Sequence, residues 1–207
     1  MSMTDLPAPT RSDRLIALRR QIILDAAQRA FARDGLESTT MRAIAKEAGC
    51  TTGAIYPWFS GKEAIYAALL RESLDRLHLH LTHELQAAPP GRAARRVIQA
   101  FFDYYAGRPT ELSLGMYLFK GLAPQGLGRD TDDELNARLR ACVDQLGAGL
   151  LADGRGDARS ARIEQMNVFT YLMGLLLLFH TRRLKSLGQH AQPLLDSFCD
   201  TLEHRQP

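Results

Sequence analysis

The sequence predicts an all-α fold of about nine helices, and three observations point to it. Apolar residues recur at three- and four-residue spacing along most of the chain. Glycine and proline punctuate those segments at their ends. No stretch alternates apolar and polar residues between hairpin turns, as paired strands would. The 207 residues suffice for a small domain followed by a medium one. With 45% hydrophobic and 24% charged residues the chain can bury a core, which excludes general disorder.

The elements follow in order. Residues 1–13, polar and proline-rich, are expected to form a flexible arm. A helix over 14–34 turns Ile16, Arg20, Ile23, Ala27, Ala30 and Phe31 to one side and stops at Gly35. Thr40 caps a short second helix whose Ile44, Ala45 and Ala48 face inward, and Gly49 ends it. A third short helix starts after Thr51 and is over by Pro57 and Trp58. Ser60 and Glu63 have capping-box spacing and open a helix lasting to about residue 86. Pro89-Pro90-Gly91 is the clearest break. Beyond it helices are expected over 92–107, 109–121, 132–152, 158–186 and 190–204, with Thr131 and Glu134 repeating the capping-box spacing at the third. The expected organisation is an arm (1–13), a three-helix domain containing a helix-turn-helix (14–62) and a larger helical domain (63–207).

The formal net charge of +3 permits a nucleic-acid partner without requiring one. Cys50, Cys142 and Cys199 show neither ligand nor disulfide-framework spacing, which suits a reducing cytoplasm. The start of the chain lacks a signal-peptide pattern. The longest apolar stretch, 168–179, includes Thr170 and Gly174 and is too short to span a bilayer. A soluble, cytoplasmic chain with no membrane partner is expected.

Residues 40–62 hold the informative chemistry. A short helix, a glycine turn and a second short helix behind a longer support form the layout of a bihelical DNA reader. Its second helix must stand clear of the body to enter a major groove about 12 Å wide. Gly49 supplies the positive φ of the turn, and Ile44, Ala45, Ala48 and Ile55 are small or branched enough for close crossing. The Thr51 and Thr52 hydroxyls and nearby backbone N–H groups suit a phosphate. Gly53 and Ala54 leave the backbone free to approach base edges, while Tyr56 and Lys62 offer an OH and a charge at phosphate height. On these residues alone, plain packing roles for Tyr56 and Trp58 stay open.

Three runs have fixed spacing: Ala27, Phe31 and Gly35; then Thr40, Arg42, Ile44, Ala45, Ala48 and Gly49; then Gly53, Tyr56, Phe59, Lys62 and Glu63. With them, residues 20–70 closely resemble the DNA-binding domain of the TetR (tetracycline-repressor) family. The resemblance implies that Thr40, Thr51, Tyr56 and Lys62 hold phosphates and that Arg42, Thr52, Gly53 and Ala54 face bases. It also implies a transcriptional regulator of double-stranded operator DNA, most commonly a repressor released by a small effector. Two positions depart from the family. Pro57 biases Tyr56 away from αR, so the recognition helix is expected to end early and to leave Trp58 as an apolar wedge or a phosphate contact through its N–H. Cys50 stands where a valine-like residue is usual and reads as a small packing residue.

Past about residue 87 the resemblance is architectural only, implying an effector cavity and a dimer built from the last two helices. The helix carrying Ile163, Met166, Thr170, Met173, Gly174, Leu177 and Leu178 is apolar over more than one face, so it needs cover on both sides. Met166, Thr170, Leu177, Leu194, Leu195, Phe198 and Leu202 are the candidates for a homodimer bundle. Leu74, Leu77, Tyr104, Tyr105, Met116, Phe119, Phe169 and Met173 are the candidates for an apolar or aromatic effector pocket. Among His78, His80 and His83 only His80 and His83 have ligating spacing, and nothing completes the set, so no metal and no cofactor are expected. No nucleophile elbow, dinucleotide fingerprint, P-loop or HExxH occurs, so an enzyme is not expected. The alternative is a helical carrier or interaction scaffold without DNA binding, which would leave residues 51–62 unused.

Overall fold

The computed structural model describes residues 10–116, 126–155 and 157–204. Among them are nine α-helices, one 3-10 turn and no strand. They are α1 (Arg11–Ser38), α2 (Met41–Glu47), the turn Thr52–Ala54, α3 (Lys62–Gln86), α4 (Ala93–Ala106), α5 (Pro109–Gly115), α6 (Arg129–Ala152), α7 (Ala158–His180), α8 (Arg183–Ser186) and α9 (Ala191–His204). The chain divides into two compact units inside α3, between Leu69 and Leu70. No helix among the described residues is long and apolar enough to cross a membrane.

In the first unit, α1 begins at Arg11, earlier than the expected residue 14. Thr10 and Asp13 form a reciprocal capping box there, which corrects the arm expected over 1–13 at its C-terminal end. Ile16, expected inward, is exposed, because the core takes hold of α1 only from Ile23 onward. From there Leu24, Ala27, Ala30 and Phe31 are buried, as are Ile44, Ala45, Ile55 and Ile65, and Phe31 meets the Tyr66 ring at 5.5 Å. Gly35 takes φ 76°, and the buried Thr39 hydroxyl donates to Gly35 O at 2.6 Å, closing the end of α1. Gly49 takes φ 66°; its N–H donates to Lys46 O and that of Cys50 to Ala45 O, the paired bonds of a Schellman stop. Arg29 and Arg33 both pair with Glu47, tying α1 to α2.

Two expected caps are replaced. The first bond of α3 runs from Ile65 N–H to Gly61 O, so Gly61 rather than Ser60 holds the cap position. Helix α6 starts at Arg129 behind Gly128 (φ 108°), and Glu134, expected in a capping box with Thr131, accepts a bidentate pair from Arg71 at 2.7 and 2.9 Å.

In the second unit α4, α6 and α7 pack around Val97, Ile98, Phe101, Leu146, Val168 and Leu172. Gly149 lets α6 approach α4 so closely that a Cβ would lie 3.1 Å from Ala93 O. The Asp153 carboxylate, just past α6, accepts the N–H groups of Ala93 and Ala94 at 2.9 Å each and so caps α4. Arg95 of α4 reaches Glu203 (2.7 Å) and Asp200 of α9. The helix expected over 158–186 is interrupted: Arg182 adopts φ 58° and separates α7 from α8.

Candidate nucleic-acid interface

The helix expected over 51–57 is instead one 3-10 turn followed by further turns. Ala54 N–H donates to Thr51 O at 3.0 Å and Ile55 N–H to Thr52 O at 3.1 Å, both i to i−3 bonds. Pro57 has no N–H to continue the ladder and disfavours αR at Tyr56. Trp58 and Phe59 N–H groups then both return to Ile55 O. Ile55 and Phe59 are buried and anchor the segment, which turns Thr51, Gly53, Ala54 and Tyr56 outward. Tyr56 is 55% exposed.

Gly53 has no internal reason to be glycine. Its φ is not positive, and a Cβ there would find no atom nearer than Thr51 Oγ1 at 4.0 Å. With Ala54 beside it, this gives an open stretch of backbone that a flat partner can approach. Thr40 has φ −117° and accepts Ala43 N–H on Oγ1 at 3.2 Å, which fixes the start of α2. Arg42, two residues further on in α2, is exposed, and Thr52 is half-buried. Trp58 is half-buried and lines a cleft of about 490 Å3 with Ile22, Ala48, Cys50, Ala54 and Pro57.

Lys62 is placed otherwise than expected. Its ammonium donates to Leu36 O at 2.9 Å and Glu37 O at 2.7 Å, two carbonyls just beyond Gly35. It therefore ties the start of α3 to the end of α1. Nothing local in the sequence marks this, because the acceptors lie 26 and 25 residues back.

In the second unit, Leu74, Leu77, Tyr104 and Tyr105 are buried, and Met116, Phe169 and Met173 half-buried. Phe101, not among the expected residues, touches two of them. It contacts Tyr105 at 5.3 Å and Phe169 at 6.1 Å, and Tyr104 meets Tyr105 at 5.3 Å. Phe119 lies outside the described residues. A polar cluster was missed altogether. Glu111 accepts from Ser73 Oγ (2.6 Å) and Tyr104 OH (3.1 Å) and pairs with Arg76 (3.3 Å). Burial and the Glu111 charge push the Tyr104 phenol above its ordinary range. His80 lies against the Tyr104 ring and His83 beside Glu84.

The expected dimer residues separate into two groups. Met166, Thr170 and Leu177 are exposed along one face of α7 with Ile163, and Leu194 and Phe198 are half-buried. Leu195 and Leu202 are already buried within the single chain, at 0% and 5% exposure, so they belong to its own core and not to an open face. Phe198 stacks on Tyr171 at 3.8 Å, and Tyr171 OH donates to Leu194 O, which holds α9 against α7.

Comparison with known proteins agrees with this geometry. Residues 23–69 match the family model for bacterial regulatory proteins of the tetR family. The chain is 41% identical over 69 residues to the HTH-type transcriptional repressor AcnR of Corynebacterium diphtheriae, a match spanning 33% of this chain and 36% of that repressor. It thus spans little more than a third of that relative's length. It is 32% identical over 108 residues to the HTH-type transcriptional regulator TtgW of Pseudomonas putida, covering 52% of this chain and 78% of TtgW. The fold resembles that of the transcriptional regulator FadR from Bacillus subtilis, solved in complex with stearoyl-CoA. The TM-score is 0.69 at 20% identity, over 89% of this chain and 97% of that one. By its motifs, its fold and these similarities, the chain belongs to the TetR family of bacterial regulators.

Proposed function

We propose that this chain is a ligand-responsive transcriptional regulator, not an enzyme, that binds a palindromic stretch of double-stranded DNA as a homodimer in the cytoplasm. Its repressor-like relatives favour repression released by a small, mainly apolar or aromatic effector. Thr40, Thr51 and Tyr56 hold phosphates, Arg42, Thr52, Gly53 and Ala54 meet base edges, and Trp58 borders the contact with its apolar face. Lys62 acts through position, holding α3 to α1 behind that surface. The observation that supports this most is Gly53 with Ala54: a glycine that neither its φ nor its packing requires, in the middle of an outward-facing turn. The aromatic cluster of Tyr104, Tyr105 and Phe169 is the candidate effector site, and a likeness in fold to a regulator solved with a ligand favours a small-molecule effector.

The test is binding to the DNA upstream of the protein's own gene, followed by fluorescence anisotropy against excess competitor DNA. A specific complex is expected, with log K falling linearly against log salt. Absence of any complex at low salt with neighbouring intergenic DNA would instead favour a helical carrier.

A further inference from the structure

The second unit holds a half-open cleft of about 570 Å3 between the start of α5, the end of α7, α8 and the start of α9. Its apolar wall consists of Pro109, Phe179, Leu184 and Ala191. Arg182, Lys185 and His190 also line the cleft, and among the described residues no Asp or Glu does. His180 lines the cleft as well, its Nε2–H donating to Tyr105 O at 3.0 Å, which fixes the ring.

Two features bear on what this cleft would hold. Arg182 and Lys185 have no carboxylate partner among the described residues, a state they share with Arg140 and Arg162, but only they line a common cleft that contains no described carboxylate. Both side chains are solvent-exposed, and two like charges lining one cleft favour an anion between them. In addition, Arg182 is the one non-glycine residue with positive φ among the described residues. Its backbone position suits glycine, since L side chains resist φ 58°. An arginine there points to use of its guanidinium.

We propose that this cleft binds a small organic anion, with an aromatic or short aliphatic body against Phe179 and Leu184 and one carboxylate at Arg182 and Lys185. The cleft shares no residue with the effector site around Tyr104, Tyr105 and Phe169, so the two readings stand or fall separately.

The experiment is isothermal titration of the full chain with sodium benzoate and sodium octanoate, and with benzamide and octanamide as uncharged counterparts. The acids bind, and the amides bind at least about tenfold more weakly, as loss of a charge-assisted bond implies. Lys185→Gln weakens acid binding by about tenfold. Arg182→Gly does the same while folding normally, because glycine accepts the positive φ. Arg162→Gln, about 27 Å along α7 from His180, is the control for overall charge and leaves binding unchanged. Equal affinity for acid and amide, undiminished binding in the Arg182→Gly/Lys185→Gln double variant, an equal loss in Arg162→Gln, or no binding of either acid at millimolar concentration each overturns the proposal.

Discussion

At the scale of single residues, the Lys62 ammonium donates to two carbonyls just past the positive-φ turn at Gly35. Lys62→Met keeps the stem and removes both bonds, so thermal unfolding should show a loss of about 2 kcal/mol. A variant as stable as the parent, but with a shallower salt dependence of DNA binding, would return Lys62 to a phosphate contact. Gly53→Val is expected to behave in the opposite sense. It adds a branched side chain to open space, leaving the melting temperature nearly unchanged while DNA affinity falls. Glu134 governs part of the acid response. Its bonds from Arg71 and Arg138 hold its carboxyl down at about 2, from an ordinary 4.5. Because the folded value is the lower one, the stabilisation is present at neutral pH and is lost as pH falls from about 4.5 towards 2. In Glu134→Gln, stability measured by urea unfolding should therefore vary less with pH across that window. Burial pushes the Cys142 thiol up to about 12 and that of Cys199 up to about 11, so iodoacetamide at neutral pH should label Cys50 first, as mass spectrometry would report.

At the scale of elements, the tightest constraint is where α4 and α6 meet. Gly149→Ala sets a methyl 3.1 Å from the Ala93 carbonyl and the Ala94 Cα, both main-chain atoms that cannot swing away. A loss of about 1–3 kcal/mol in urea unfolding is expected, and an unaffected midpoint would mean the two helices can part. Most helix boundaries were legible because glycine or proline marks them: Gly35, Gly49, Gly107 and Pro109 all sit where the chain turns. The errors have a common physical origin. Glu134 has the right spacing for a local cap, yet Arg71 and Arg138 offer it stronger charged bonds. The interruption at Arg182 follows no breaker residue, so periodicity carried α7 straight through it. Pro57 was recognised as a disturbance, but not that it would leave only a single 3-10 turn ahead of it. The outward positions of the turn were nevertheless readable, since Ile55 and Phe59 at i and i+4 are its apolar residues.

At the scale of the whole molecule, the open question is which faces remain for a second copy. A single chain leaves Ile163, Met166 and Leu177 exposed along α7, a row that a symmetric partner can cover. Met166→Glu should yield folded monomers in sedimentation, with weaker DNA binding although no contact residue has changed. Leu195→Asp, by contrast, buries an unpaired charge inside one chain and should prevent folding rather than pairing. Folded Leu195→Asp dimers would contradict that assignment. The Glu111 cluster and the Phe101 hub were illegible in the sequence for the same reason as the Leu195 assignment. Periodicity identifies an apolar face, whereas its neighbour depends on how distant segments dock.

The cap that Asp153 places on α4 has a consequence in time. Its carboxylate binds amides 60 and 59 residues earlier in the chain. While the chain emerges from the ribosome, α4 is complete long before residue 153 exists, and its first turn has no intrahelical acceptors of its own for those N–H groups. That turn therefore frays until α6 has formed and docked, making its protection a late event governed by long-range closure and not by local helix growth. In pulsed hydrogen exchange during refolding, the amides of Ala93 and Ala94 should gain protection together with α6, later than the middle of α4.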